Sequence, residues 1–279
     1  MDDEQIYGPV IDQMSFRQAL TQTPPILSDY KVITVAVSRK DIEELITKNL
    51  LTKVNGSSFS FKNDGATIAA LVAYRKLVET KGIKHAISFH KSIQRATEFK
   101  ELVSSDQLFN ESSIPVKAFH VSGKQSTGER NAELARFLEG EHTLVTNARC
   151  LTEGVDIPAV DAVIFADPKQ SVVDIVQASG RAMRKHPDKK YGYIVIPVIL
   201  DSNSTEIAND AFKQLIAVVG ALGINDERII EEAKEVVRMQ GLHNSEILEF
   251  VEVSQDAEIP FDELVRDLQI KIWDRLSFA

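Results

Sequence analysis

The chain has 279 residues, of which 43% are hydrophobic and 26% charged, a balance that excludes a disordered chain and allows one or two domains with a sizeable core. Its net charge of −9 excludes nucleic-acid binding through a global basic field, so any such contact needs a local cationic surface. The one cysteine, Cys150, excludes an internal disulfide and a multi-cysteine metal site; it fits a reducing cytoplasm and reads as a small filler beside a buried strand.

The opening thirty residues hold one short apolar-periodic piece, Phe16 to Leu20, between turn signals at Gly8-Pro9 and Pro24-Pro25. Lys31 to Val37, KVITVAV, is a β-branched run expected to form a buried strand, and Asp41 to Leu51 a helix. Residues 52–65 are polar and turn-rich, which predicts an exposed loop or hairpin. Ala66 to Thr80 carries apolar residues at helical spacing, with Gly82 where a helix end favours left-handed backbone. His85 to His90 reads as a strand leading into a helix over Ser92 to Leu102. Ile114 to Val121 reads as another strand, and Ser126-x-x-Glu129 as a capping box opening a helix to Leu138.

Thr143 to Thr146 and Ala162 to Ala166 are further strands, the second ended by Asp167-Pro168. Ser171 is placed to cap a helix with Asp174 in its first turn, and Tyr191 to Val198 is again a strand. From 202 onward the sequence is helix-rich: Thr205 to Ala221, Asp226 to Met239 and Pro260 to Leu276, with Trp273 expected to be buried. Glu231, Glu232 and Glu235 read as a solvated face. Strands alternating with helices predict an α/β fold, a mainly parallel sheet with helices on both faces and functional loops at the carboxyl ends of the strands, plus a C-terminal helical extension.

Within that pattern one stretch carries chemistry. Gln177-x-x-Gly180-Arg181-x-x-Arg184 places Gln177, Arg181 and Arg184 on one helical face, and two guanidiniums pointing the same way suit phosphate oxygens. The plainer account is a basic helix end in which Arg184, Lys185 and His186 complement the helix dipole before Pro187. Upstream, Gly154 permits close backbone approach to a ligand, and Asp156 can bond a ribose hydroxyl or orient an arginine; alone it would be an ordinary turn residue before Pro158.

Together these residues carry a resemblance. Gln177-x-x-Gly180-Arg181-x-x-Arg184 resembles motif VI of superfamily two helicases, and Thr152-Glu153-Gly154-Val155-Asp156 resembles the core of their motif V. The run from Ala148 to Lys185 is similar to the helicase segment of large bacterial restriction-type enzymes. The resemblance implies a C-terminal RecA-like lobe over 31–200, preceded by an inter-lobe connector over 1–30 and followed by a helical extension over 201–279. The chain is then expected to be a piece of a longer protein.

By the same resemblance Arg181 and Arg184, aligned by Gln177, act as arginine fingers on ATP held by a separate N-terminal RecA-like lobe. Gly154, Asp156 and Gly180 face the nucleotide. His90, Lys91, His120, Thr146 and Arg149 are the candidate contacts to nucleic acid, expected to be DNA, with Arg95, Gly123 and Arg130 beside them. In the commonest family pattern a threonine stands six residues before the motif V glycine; here that position is Ala148, so Thr146, Asn147 and Arg149 stay open as the phosphate contact.

No G-x-x-x-x-G-K-[ST] loop and no acidic Mg2+ pair after a buried strand occur in the sequence. ATP and Mg2+ are therefore expected only in the complete enzyme. A binding module that kept the fold without catalysis is the alternative. A self-contained small-molecule enzyme is disfavoured, because no nucleophile with its base, metal cluster or G-x-G-x-x-G is found.

Overall fold

A computed structural model of the protein describes residues 14–47, 61–104, 114–148, 156–169, 171–200, 209–239, 245–253, 265–266, 269–272 and 274. Its β-branched runs become β1 (Asp29–Ser38), β2 (His85–Phe89), β3 (Lys117–Ser122), β4 (Thr143–Ala148), β5 (Ala162–Phe165), β6 (Tyr191–Leu200) and β7 (Leu248–Glu252). They form one sheet in the order β3-β4-β2-β5-β6-β1-β7, and every pairing between them is parallel. A parallel sheet needs cover on both faces, which is why its strands are apolar runs and not alternations.

The cover comes from helices α1 (Phe16–Thr21), α2 (Arg39–Thr47), α3 (Phe61–Lys81), α4 (Ile93–Ser104), α5 (Thr127–Glu139), α6 (Val172–Ala182), α7 (Asn209–Gly223) and α8 (Glu227–Met239). On one face Ile42, Leu71, Tyr74, Leu77, Phe99 and Val103 of α2, α3 and α4 pack on Ile33, Val35, Leu144 and Val195. On the other, Leu134 and Phe137 of α5, Ile175 and Ala178 of α6, Leu215 and Val218 of α7 and Ile229 of α8 cover Val32, Val145, Val163 and Ile194. The predicted fold class is the observed one. No helix among the described residues is long and apolar enough to cross a membrane.

Several local expectations hold. Ser126 and Glu129 form a capping box at the start of α5, Ser126 N–H donating to Glu129 at 2.7 Å and Glu129 N–H to Ser126 at 3.3 Å. Gly82 closes α3 with φ of +64°, a conformation that carries a steric cost for any residue with a Cβ.

Others are corrected. α3 begins at Phe61, so Asn63, Asp64 and Gly65 lie in a helix where a polar loop was expected; Asp64 in the first turn suits the helix dipole. The last part of the chain is not helical throughout. Leu248–Glu252 is the edge strand β7 beside β1, with Leu248 and Phe250 toward one core layer and Val251 toward the other. Glu249 is tied to β1 by Lys31 at 3.6 Å and to the end of α3 by Lys81. The helix expected over Pro260 to Leu276, including Trp273, falls largely outside the described residues. Leu215, Val218, Ile229 and Ile247 share one core with Tyr30 and Ile194, so this part of the chain packs on the sheet.

Candidate functional site

α6 is defined at its start by Ser171, whose backbone is extended and whose hydroxyl accepts the Asp174 N–H at 3.3 Å. Ile175, Ala178 and Ala182 turn inward, leaving Val173 at 63% exposure, an exposed Gln177 and a half-buried Gly180 along the outer face. Among the described residues a Cβ at Gly180 would meet nothing within 4 Å.

The helix ends at Ala182, with Met183 as its cap. Arg184 therefore lies beyond the helix, in a bridge with Leu27, and is not on the same helical face as Gln177 as expected. The physical reason is that the chain leaves the helix to meet the strand leading into β1, with Pro187 close behind. A second correction concerns place. A helix joining two parallel strands runs back across the sheet, so α6 finishes beside the amino end of β1, where Ser28 N–H donates to the Met183 carbonyl at 2.7 Å. The arginines thus sit toward the amino edge, not with the loops at the strand carboxyl ends.

Arg184 Nη1 lies 2.8 Å from Asp156 Oδ1, with the two side chains 31% and 76% exposed. An ion pair this exposed is worth roughly 1 kcal/mol or less, so Arg184 can be drawn from Asp156 by a more highly charged anion. Arg181 is 8% exposed. Burial lowers its pKa, the Arg184 charge lowers it further and Asp156 opposes both, so the three charges form one cluster. Gly154, Cys150 and Arg149 lie outside the described residues.

At the carboxyl edge the candidates separate by burial. Lys91 is exposed, and its backbone N–H donates to Asp167 at 3.1 Å. His90 is instead 4% exposed, its Nε2 sharing a hydrogen bond of 2.9 Å with Ser88. Thr146 has no exposure, and its hydroxyl pairs with His120 Nδ1 at 2.9 Å. Burial holds His120 below the usual histidine range, Lys100 adding to it. The rings of His90 and His120 and the Thr146 hydroxyl therefore act first as packing and tethering groups. Arg95, too, is engaged inside the molecule, with Asp167 at 3.0 Å and Thr67 at 2.8 Å. Asp167 was read only as a strand end. It joins β5 to the start of α4, and an acid immediately after an apolar strand was the signal available for it.

Burial pushes the His90 imidazole down to about 4, Asp167 opposing this and Arg95 adding to it. The unfolded ring takes a proton near pH 6.5 and the folded ring only near 4, so stability is full above 6.5 and falls between those values. Urea unfolding across that window is expected to show this loss, and His90→Gln to flatten the slope.

Residues 68–186 match the family described as helicase conserved C-terminal domain. That stretch of the chain is a helicase conserved C-terminal domain. Over 142 residues it is 30% identical to the probable helicase A859L of African swine fever virus (isolate Pig/Kenya/KEN-50/1950), a match covering 47% of this chain and 16% of that protein. Over 270 residues it is 22% identical to the putative ATP-dependent helicase IRC3 of Saccharomyces cerevisiae, covering 82% and 39%. Among solved structures it is similar to the ATP-dependent Type ISP restriction-modification enzyme LlaBIII bound to DNA, with TM-score 0.77 and 27% identity over 99% of this chain and 19% of that one. The lobe thus spans well under half the length of these relatives.

Proposed function

We propose that this helicase lobe is the second motor lobe of an ATP-dependent DNA helicase or translocase of the restriction type, completed by an N-terminal RecA-like lobe elsewhere in its parent protein. The observation that carries this reading is Arg184, held to Asp156 by an exposed pair that a phosphate could displace. ATP bound on the first lobe would present its phosphates to Arg184, with Arg181 behind it and Gln177 aligning the cluster. Positive charge fixed there stabilises the charge that develops on a transferring phosphoryl group.

The residues fit that partial role. No group of three or more His, Cys, Asp or Glu among the described residues could hold a metal, so the Mg2+ ligands are assigned to the other lobe. When bound, Mg2+ would neutralise charge on the phosphates. Asp156, losing Arg184 to the phosphates, would report nucleotide state, a role to which Gly154 is also assigned. Lys91 is assigned to the nucleic-acid backbone, together with Arg149. The similarity to an enzyme bound to DNA supports DNA as the track.

Steady-state ATP hydrolysis by this chain alone and by a polypeptide joining it to its first lobe tests the reading. Turnover is expected only from the joined form and is expected to rise with DNA. Turnover by the chain alone, or by the joined form with no response to DNA, would contradict it.

A further inference from the structure

The last three carbonyls of the arginine-bearing segment would be orphans at an ordinary helix end, since helix C-termini leave their final C=O groups without intrahelical donors. Here each has a donor from elsewhere in the chain. The Ala182 carbonyl accepts from Lys189 Nζ at 2.9 Å, the Met183 carbonyl from Ser28 N–H at 2.7 Å and the Arg184 carbonyl from the Ser28 hydroxyl at 3.2 Å. Lys189 also donates to the carbonyls of Pro158 at 3.1 Å and Val160 at 2.8 Å. All three protons of its ammonium are thus committed to backbone oxygens.

Those oxygens belong to the two segments that matter. Pro158 and Val160 lie in the segment that follows Asp156, and Ala182 lies between Arg181 and Arg184. Close approach from below completes the seat: a Cβ on Gly192 would meet the Ala182 oxygen at 2.2 Å. We propose that Lys189 and Ser28 are positioning residues that set the Asp156–Arg184 pair, Lys189 by clamping the segment after Asp156 to the end of α6 and Ser28 by pinning Met183 and Arg184 to the segment that enters β1. This rests on the motor reading only for its effect on ATP turnover; the clamp itself is a claim about this chain. Burial lowers the Lys189 ammonium to about 8, Asp161 opposing the shift and Arg184 adding to it. That is the behaviour of a cation withdrawn from water and held by carbonyl dipoles.

The test maps modification of individual arginines by phenylglyoxal, by mass spectrometry, in the 279-residue chain. Lys189→Met is expected to raise the Arg184 rate roughly threefold, as for loss of a partly exposed ion pair. Ser28→Ala is expected to raise it less. Arg75, 2% exposed, should stay protected and thereby reports the fold.

Should Lys189→Met expose Arg75, the milder Ser28→Ala decides. Unchanged Arg184 reactivity in a variant that keeps Arg75 protected overturns the clamp. In the joined two-lobe polypeptide, Lys189→Met is expected to lower kcat several-fold with KM for ATP nearly constant, a split that general loosening of the fold would not give. Raised Arg184 reactivity with unaltered kcat would leave the clamp standing and count against the motor reading.

Discussion

Replacing Arg184 with alanine in the joined two-lobe polypeptide is expected to lower kcat for ATP hydrolysis by about 10³-fold or more, the range found when an arginine finger is removed. KM for ATP should change far less, because charge that builds up in the transition state is the target of the guanidinium. Folding gives no competing explanation of that size. The Asp156–Arg184 pair is exposed enough to contribute roughly 1 kcal/mol or less. Arg184→Lys should recover little, since an ammonium lacks the planar fork that holds two phosphate oxygens at once. Turnover within about threefold of wild type, under 1 kcal/mol in barrier, would favour a non-catalytic module on the same fold.

A second large effect is expected on stability. Asp226 has no exposure and joins two elements: Tyr30 of β1 donates its hydroxyl at 2.8 Å, and Arg228 of α8 donates through Nη2 at 2.7 Å and Nε at 3.0 Å. Arg228 reaches on to Asp29 at 3.1 Å. Asp226→Ala leaves a buried phenol and a half-buried guanidinium without their acceptor. It should cost about 3 kcal/mol, the lower end for breaking a buried charge pair, because Arg228 keeps Asp29 and some water. For a chain of this length the melting temperature should fall by about 5–10 °C.

Acid weakens the same link. Burial alone would raise the Asp226 carboxyl, but hydrogen bonds from Arg228 and Tyr30 outweigh it and hold the group below the usual carboxylate range. Its contribution is therefore complete above the unfolded value near 3.9 and lost as pH falls through the lower folded value. The gap between wild type and Asp226→Asn in urea unfolding should close over that acid range.

The sheet was legible because runs such as KVITVAV and YGYIVIPV are apolar without alternation, as strands covered on both faces must be. Ser126 and Glu129 marked their helix by local chemistry alone, and Gly82 its helix end. β7 escaped notice because Leu248, Glu249, Phe250, Val251 and Glu252 mix acids with apolar residues between helical stretches. Only pairing with β1 makes them an edge strand.

The candidate site was legible as residue types and not as geometry. Helical spacing extended to Arg184 although the helix stops at Ala182. Sequence could not tell which residues at a strand end face inward, so His90 and Thr146 were grouped with the exposed Lys91. Lys189 and Ser28 carried no signal, because their acceptors are carbonyls brought close only by folding.

The central claim is that Arg184 leaves Asp156 for a phosphate held by another lobe. Its most direct test is the separation between the Arg184 guanidinium and the γ-phosphate mimic in a structure of the joined polypeptide with DNA, Mg2+, ADP and a metal-fluoride phosphate mimic. A donor–acceptor distance of about 2.7–3.2 Å is predicted. Arg184 still seated on Asp156, with the mimic out of its reach, would contradict the account.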